Sequence, residues 1–495
     1  MVVFFDGQNS VMSRPGHILQ VLILRVRLAC RAAVWVTSFA IAFLFSGCAH
    51  APLNQPLEKN APRAESLRMP AENTTDLAVF LFFSGGGKRA SALSYGVLKA
   101  LSDTTVLLDG HTHRLSDRVE FISSVSGGSF TAAYYGLYGD RIFEDFEKRY
   151  LKHNTDAALS LRLLNPYWWF RLGSGYYGRS DMAARYYDKR LFKGATFGDL
   201  LKNGNRPFLS INATDAANAE QFSFTQTTFD LISSDLSRYP ISRAVAASSA
   251  VPFALTPVTL KNYSNKTGVQ SYVDPLLLPA RKADPMRPLT EREQYLRKIV
   301  RSYTDEGERP FIHLVDGGMS DNLGLHGIID ASVMLGGLHE LMDHVRMKPP
   351  EKLLFVIVNA EARRGGHLTE TERTPGSFET MRQVNDIRGN QRNARTLEAL
   401  MHLVEEWKDR NRPLAVAGQP APEFYIVIVD FEKLADDKER EFFQTLPTRF
   451  SLPDKTIDLL TAAGGKILRD SPEFQRLLRD IAGDAAQPAG NNRAE

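Results

Sequence analysis

Residues 77–83, LAVFLFF, form a run of seven apolar residues that three glycines follow almost at once. A run of this length without polar alternation is typical of a strand that is buried on both faces. Further runs of strand length, with helical patterns between several of them, lie at 119–124, 207–212, 311–315, 353–358 and 424–429. This succession predicts an α/β fold in which helices cover a mostly parallel central sheet.

The rest of the chain fits one large domain. Hydrophobic residues make up 43% of the 495 residues, which is enough for a sizeable core, and the net charge of +3 gives no reason to expect a nucleic-acid partner. The clearest later helical patterns lie at 322–334 and around 381–407. The polar stretch from about 261 to 309 is expected to form surface excursions. No linker composition interrupts residues 76–482, which are therefore predicted to form a single domain.

The N-terminal segment predicts that the protein is located in the cell envelope. Three arginines, at 25, 27 and 31, precede an apolar run that ends in Phe45-Ser46-Gly47-Cys48. Basic residues before an apolar run are the layout of a secretory signal peptide, and this ending is similar to a bacterial lipobox. We therefore expect residues 1–47 to be a lipoprotein signal peptide and Cys48 to be lipidated. By the same resemblance, Ala49 favours the periplasmic face of the outer membrane.

Other interpretations of this segment remain open. The apolar run could be an uncleaved membrane anchor, although it is shorter than the roughly 20 residues that a span needs. Translation could also begin at Met12 rather than Met1. Residues 48–75, which are rich in proline, asparagine and charge, are expected to be a flexible tether, and residues 483–495 a disordered tail.

The first cluster that could bind a ligand or take part in catalysis is Ser84-Gly85-Gly86-Gly87-Lys88-Arg89-Ala90, between the apolar strand and a helix. Glycines at a helix N-terminus leave backbone N–H groups open to an oxyanion or a phosphate. The phosphate-loop pattern fails because Arg89 stands where it needs Ser or Thr. The dinucleotide pattern would need Ala90 in place of its last glycine, and this alternative stays open. Lys88 is expected to be solvated.

Two further clusters follow predicted strands. Ser124-Val125-Ser126-Gly127-Gly128 differs by one residue from G-x-S-x-G, the turn that exposes a catalytic serine, although a plain strand–helix loop would also explain it. Asp316-Gly317-Gly318 places an aspartate on a tight turn at a strand's end. A capping or Asx-turn aspartate is the alternative there, but Asp321 or Ser320 is better placed to cap the next helix.

In this order the three clusters resemble the patatin-like phospholipase family. Two weaker stretches, 212–215 and 244–252, add to the resemblance, which covers roughly residues 76–330. It implies a three-layer α/β/α fold and a Ser–Asp dyad in place of a triad. Ser126 would attack an ester carbonyl, and Asp316 would be the general base.

The resemblance also implies the remaining parts of the site. The oxyanion hole would be formed by backbone N–H groups of the glycines Gly85, Gly86, Gly87 and Gly127. Arg89 would orient the glycine loop or meet a lipid phosphate. The expected function is a serine lipid acyl hydrolase of the phospholipase A or lysophospholipase type, acting on phospholipid or another acyl lipid without metal or cofactor.

Three alternatives stay open at this stage. A Ser-His-Asp hydrolase would need a histidine late in the chain, for which the candidates by position are His313, His326, His339, His344, His367 and His402. Of these, His313 lies in an apolar run and is expected in the core. A lipid-binding or envelope-assembly lipoprotein with little hydrolytic activity would keep the same fold. The aromatic stretch 165–178 could be a mobile lid over a lipid site or an ordinary packed cap.

Overall fold

The computed structural model describes residues 50–58, 76–108, 110–203, 207–264, 288–345, 347–362, 377–416 and 421–486, with isolated positions at 25, 27, 31, 372, 374 and 376. The chain divides into two compact units, Met1–Ala51 with Leu163–Tyr177, and Pro52–Arg162 with Gly178–Glu495. Cys48 and nearly all of the expected signal peptide lie outside the described residues. Within the described part, none of the helices is long and apolar enough to cross a membrane.

The larger unit is built on a sheet of eight strands. They are β1 (Leu77–Phe83), β2 (Val119–Val125), β3 (Phe208–Asp215), β4 (Glu220–Phe224), β5 (Val258–Lys261), β6 (Phe311–Val315), β7 (Lys352–Asn359) and β8 (Glu423–Asp430). Two small antiparallel pairs accompany it, Gln55–Pro56 with Ser234–Asp235 and Thr105–Leu108 with His111–Arg114.

The α-helices of the described residues are numbered in chain order. They are α1 (Lys88–Asp103), α2 (Gly127–Tyr138), α3 (Ile142–Phe146), α4 (Thr155–Leu163), α5 (Pro166–Leu172), α6 (Arg179–Tyr187), α7 (Phe197–Leu200), α8 (Gln226–Leu231), α9 (Ile241–Ser248), α10 (Glu291–Tyr303), α11 (His326–Leu335), α12 (Leu338–His344), α13 (Ser377–Val416), α14 (Asp437–Thr445), α15 (Asp454–Asp470) and α16 (Pro472–Ala486).

Alternate side chains of the central strands enter two separate cores. On β1, Leu77, Val79, Leu81 and Phe83 face one core, which α1, α2, α9, α15 and α16 cover. Ala78, Phe80 and Phe82 face the other, which α11, α12 and α13 cover. Helices cover both faces of the sheet, which explains why the central strands are continuous apolar runs in the sequence. The predicted three-layer α/β/α arrangement is confirmed.

The sheet has the order β8-β7-β1-β2-β3-β6-β5, with β4 also paired to β3. The strands from β8 to β3 run parallel to one another, whereas β4, β5 and β6 are antiparallel to their neighbours. The sheet is therefore mostly parallel, as predicted. The sequence patterns missed β4 and β5, which are short and belong to the antiparallel part.

The strands β2 and β6 meet end to end along one edge of β3. β2 pairs with β3 as far as Val125 opposite Asn212, and β6 pairs with the end of β3, where Val315 lies opposite Thr214. β4 occupies the other edge of β3 from Ile211 to Asp215, which overlaps the end of the first stretch and includes the second. Since β6 runs antiparallel to β3, the C-terminal ends of β2 and β6 point toward each other. The residues that directly follow them are Ser126 and Asp316.

Part of the expected tether is folded onto the larger unit. Gln55 and Pro56 pair with Asp235 and Ser234, and Asn54 is buried. The prediction of a flexible coil over 48–75 is therefore wrong for residues 52–58, while 59–75 lie outside the described residues. At the other end, α16 extends to Ala486, so the first residues of the expected tail, 483–486, are helical.

The stretch expected to form surface excursions contains a helix that contributes to the core. In α10, Val300 and Tyr303 are buried, and the Tyr303 hydroxyl donates to Asp215 at 2.7 Å. A charge-dense sequence can therefore face the core with one side only. Residues 265–287 of the same stretch lie outside the described residues.

The aromatic stretch belongs to the smaller unit. Its helix α5 begins after Asn165, whose side chain accepts the N–H of Tyr167, and the Tyr167 ring packs edge-on against Trp168. Tyr167 and Trp169 are about half exposed, at 50% and 49%. Whether this stretch is a mobile lid or an ordinary packed cap therefore stays open.

Candidate active site

The turn between β2 and α2 holds Ser126 in a backbone conformation that non-glycine residues rarely adopt, with φ +47° and ψ −114°. Its neighbours have to be small. A Cβ on Gly127 would overlap the carbonyl oxygen of Gly87, and one on Gly128 would lie 2.7 Å from that of Ser84. Ser124, where the elbow pattern expects glycine, is still a strand residue paired in β2. A glycine is therefore not required at this position.

The junction of β2 and β6 brings Ser126 and Asp316 together across 190 residues of sequence. The Ser126 hydroxyl donates to Oδ2 of Asp316 at 2.7 Å, and both side chains are buried. The other carboxylate oxygen, Oδ1, accepts the N–H of Gly318 at 2.9 Å. Asp316 thus makes the Asx-type turn that was the alternative interpretation and contacts the serine as well. Asp321 accepts the N–H of His326, the first residue of α11, at 2.8 Å.

Burial shapes the protonation of this pair. It raises the pKa of Asp316 to about 6, because a carboxylate loses hydration there, while the hydrogen bonds from Ser126 and Gly318 act in the opposite direction. A carboxyl group with a pKa near neutrality can both accept and return a proton at the pH of the cell. The backbone of Asp316 is fixed by Thr214, whose hydroxyl donates to its carbonyl at 2.8 Å.

The glycine loop after β1 packs directly on the serine turn. Gly86 and Gly87 have φ of +139° and +61°, values that favour glycine. A Cβ on Gly87 would lie 2.5 Å from the carbonyl oxygen of Arg449. No acceptor among the described residues takes the N–H of Gly86, Gly87 or Gly127. Within the described part of the chain, these three groups are therefore left without an acceptor.

Gly85 does not have the role in the oxyanion hole that was expected. Its N–H donates to the carbonyl oxygen of Asn322 at 3.0 Å, so this group is not free to bind an oxyanion. A Cβ on Gly85 would overlap the side-chain oxygen of Asn322 and approach the Cβ of Ser126 at 3.4 Å. Gly85 is needed for the close approach of these two residues. The sequence alone gave no signal for the contact with Asn322.

The two basic residues of the loop are buried. Arg89 donates to the carbonyl oxygens of Ala360, at 2.7 Å, and Leu446. These contacts fit the loop-orienting role and turn the guanidinium toward protein acceptors rather than a phosphate. Lys88 is not solvated as expected: its Nζ donates to the carbonyl oxygen of Tyr150 at 2.5 Å and lies over that ring. Burial lowers the pKa of Lys88 well below its usual range.

The histidine candidates of a triad lie elsewhere. No described histidine hydrogen-bonds to Ser126 or Asp316. His326 pairs with Thr396 at 3.0 Å and His339 with Asn411 at 3.2 Å, while His313 is exposed on β6 beside Thr259 instead of lying in the core. His367 lies outside the described residues. Over the described ranges, no group of three His, Cys, Asp or Glu side chains could hold a metal ion.

The N-termini of two helices converge at the site. Gly87 is the N-cap of α1 and Ser126 that of α2, and neither helix has an acidic residue in its first turn. No first-turn side chain of either helix therefore compensates the positive end of its dipole, and both ends favour negative charge at this point. A strained serine beside a buried carboxyl group and unpaired N–H groups is typical of a serine hydrolase site.

The comparisons with known proteins agree with this class. A sequence model of the patatin-like phospholipase family matches residues 81–329, half of the chain, and the chain belongs to this family. The matched part includes Gly85, Ser126 and Asp316. No curated protein matches the chain in sequence.

Two solved structures of human GIVD cytosolic phospholipase A2 are similar to the chain. One has 12% sequence identity and a TM-score of 0.39, covering 85% of this chain and 66% of that one. The second, in complex with a methyl gamma-linolenyl fluorophosphonate inhibitor and terbium chloride, has 13% identity and a TM-score of 0.35, covering 85% and 62%. The chain thus spans slightly less than two thirds of the length of these structures.

Proposed function

We propose that the protein is a serine lipid acyl hydrolase with Ser126 as nucleophile and Asp316 as general base. The observation that supports this best is the 2.7 Å hydrogen bond between the two buried side chains at the strained turn. Membership of the patatin-like phospholipase family supports an acyl lipid as the substrate class. Whether a phospholipid or a lysophospholipid is preferred is decided by the assay below.

In the proposed mechanism the Ser126 hydroxyl attacks the carbonyl carbon of the ester while its proton passes to Oδ2 of Asp316. The negative charge that forms on the carbonyl oxygen is stabilised by the N–H groups of Gly86, Gly87 and Gly127. Asp316 then returns the proton to the leaving alcohol, which leaves an acyl-serine. A water molecule, activated by the same carboxylate, hydrolyses the acyl-serine and restores the hydroxyl of Ser126.

The test is fatty-acid release from phospholipid and lysophospholipid vesicles by purified protein. Ser126→Ala and Asp316→Asn are each expected to lose at least about 10³-fold in kcat, as when one member of a nucleophile–base pair is removed. Ser332→Ala is the matched control, because Ser332 is a buried serine whose hydroxyl donates to Ile328 within α11. Equal release by all variants would reject the hydrolase, and vesicle binding without release would favour the lipid-binding lipoprotein.

We further propose a lipid anchor at Cys48 and a place on the periplasmic face of the outer membrane. The support is the order of arginines, apolar run and lipobox-like ending in the sequence. In bacterial cells given a labelled fatty acid, Cys48→Ser is expected to abolish both incorporation of label and recovery in the membrane fraction. Cys30→Ser, in the segment that is removed, is the matched control and should behave as wild type. Undiminished label in Cys48→Ser would contradict the proposed anchor.

A further inference from the structure

The backbone of Ser126 is held by a second serine, Ser248, at the C-terminal end of α9. The N–H of Ser126 donates to Oγ of Ser248 at 2.8 Å. A non-glycine residue with positive φ costs about 1–3 kcal/mol and persists only where its surroundings fix it. Ser248 provides a side-chain contact of this kind to the main chain of the nucleophile.

The hydrogen bonds around Ser248 determine which atom donates. Its Oγ lies 2.6 Å from the carbonyl oxygen of Asn212, which can only accept, so the hydroxyl hydrogen points there. Two lone pairs remain, for the N–H of Ser126 and for the hydroxyl of Ser129 at 3.0 Å. The side chain is fully buried. Ser248 is therefore a fixed acceptor whose one hydrogen is already engaged, and it is not free to relay a proton.

The segment that begins at Ser248 also contacts the other half of the dyad. The carbonyl oxygen of Ala250 accepts the N–H of Asp316 at 3.0 Å. The Asn212 carbonyl, to which Ser248 donates, packs on the next residue, since a Cβ on Gly317 would overlap it. A shift of Ser248 would thus move the serine turn relative to the aspartate turn.

We infer that Ser248 is a positioning residue, which aims the Ser126 hydroxyl at Asp316 by fixing the strained backbone of Ser126. The inference rests on the proposed Ser126–Asp316 dyad. Because Ser248 accepts the N–H of Ser126, this group does not bind the oxyanion, and that task is left to the glycine N–H groups. Ser248 itself contacts neither the substrate nor the reacting atoms, so its effect on the rate passes through Ser126.

The test compares hydrolysis of a soluble p-nitrophenyl ester by wild type and Ser248→Ala. Titration with a fluorophosphonate counts the competent sites, so that a smaller folded fraction is not mistaken for a lower kcat. Misplacing a reacting group by about 1 Å costs on the order of 100-fold, and we expect kcat per site to fall by about 10- to 100-fold with KM changed less than about twofold. The acidic limb of kcat/KM should move to higher pH, because Asp316 loses a hydrogen bond that favours its charged form.

Two further variants separate positioning from stability. Ser248→Cys keeps a donor and acceptor at this position, but its larger sulfur accepts hydrogen bonds weakly, and its kcat should fall between those of wild type and Ser248→Ala. Should Ser248→Ala not fold, the comparison of Ser248→Cys with wild type decides in the same way. Ser332→Ala removes a buried serine hydroxyl far along the chain and should keep the kcat of wild type.

The outcomes distinguish this inference from the proposed function. Wild-type kcat and an unmoved acidic limb in Ser248→Ala, or an equal loss in Ser332→Ala, would overturn the positioning role and leave the hydrolase intact. A wild-type protein that neither cleaves the ester nor reacts with the fluorophosphonate would reject the hydrolase, and the inference would fall with it.

Discussion

Asp316 lies where its ionisation is opposed by burial and favoured by two hydrogen bonds. Among the described residues, no arginine or lysine contributes to its shifted pKa, whose causes are burial, the Ser126 hydroxyl and the N–H of Gly318. An adjacent cation would have stabilised the carboxylate and lowered its basicity. In the proposed dyad, Asp316 is therefore a stronger base than an ordinary aspartate, and its burial costs stability that the rest of the fold has to offset.

We expect the activity to follow the ionisation of Asp316. The carboxylate is the active form of a base, and burial raises its pKa to about 6. The value of kcat/KM for a soluble ester should therefore rise through pH 6 and level off above about pH 7. Hydrolysis of a p-nitrophenyl ester between pH 4 and 8 measures this limb. A half-maximal rate near pH 4 would show that the carboxylate is not desolvated in the working enzyme.

Stability provides an independent check of the same pKa. The folded chain holds the Asp316 proton more tightly than the unfolded chain does, so the contribution of Asp316 to the free energy of unfolding should fall as the pH rises from about 4 to 6. The raised pKa corresponds to roughly 3 kcal/mol at most. Asp316→Asn cannot ionise, and in urea unfolding it should become progressively more stable than wild type over this range. Parallel curves for the two proteins would contradict the shift.

At the scale of the elements, the site depends on the register of β2, β3 and β6. The apolar runs of the sequence predict these strands and therefore place Ser126 and Asp316 each at a strand's end. The sequence could not predict that β6 is antiparallel and meets β2 end to end, because this depends on pairing with β3 across distant residues. The resemblance to the family was thus enough to propose the dyad. The contact between Ser126 and Asp316, however, follows from the strand pairing.

Burial of polar residues was less predictable than the strands. Lys88 follows three glycines at a helix start and has the local sequence of a solvated residue, yet the distant Tyr150 covers it. His313 lies in an apolar run, yet alternation along β6 turns its side chain outward. Ser248 and Asn322 belong to the site through hydrogen bonds to Ser126 and Gly85, which lie far from them in sequence. Local patterns cannot contain such information.

The contact between α2 and the glycine loop predicts the effect of one added methyl group. In Gly127→Ala the new Cβ would overlap the Gly87 carbonyl, so the loop has to move away from Ser126. Since loss of one oxyanion donor costs about 10²- to 10³-fold in kcat, we expect a loss of this size or larger. The measurement is ester hydrolysis per folded protein, with folding followed by circular dichroism.

Gly136→Ala is the matched control in the same helix. Among the described residues, its Cβ would meet only Leu200 and Leu209, each at 3.6 Å, which is an ordinary contact. Alanine is the better helix former by about 1 kcal/mol, so this variant should be at least as stable as wild type and equally active. Equal activity of Gly127→Ala and Gly136→Ala would contradict a role of the Gly87–Gly127 contact in the reaction.

For the larger unit as a whole, the ordered residues 52–58 change how its boundary is drawn. β5 is the last strand of the sheet, and Asn54 binds its end: the side chain donates to the carbonyl oxygen of Lys261 at 2.9 Å and accepts the Lys261 N–H at 2.7 Å. Asn54 therefore covers backbone groups that an edge strand would otherwise expose. If Cys48 is lipidated, as proposed, the folded unit begins four residues after the anchor.

Asn54→Ala tests whether this segment is part of the folded unit. The change leaves the two Lys261 backbone groups without their partner and removes the hydrogen bond that Asn54 donates to the Ser234 hydroxyl, and an unpaired buried polar group costs about 1–3 kcal/mol. We expect the melting temperature to fall and the Lys261 amide to exchange its hydrogen faster in deuterium oxide.

Gln55→Ala is the matched control, because Gln55 pairs through its backbone and its side chain is exposed. Its stability should change by less than about 0.5 kcal/mol. Identical melting and exchange in Asn54→Ala and wild type would mean that residues 52–58 are dispensable and that the domain begins at β1.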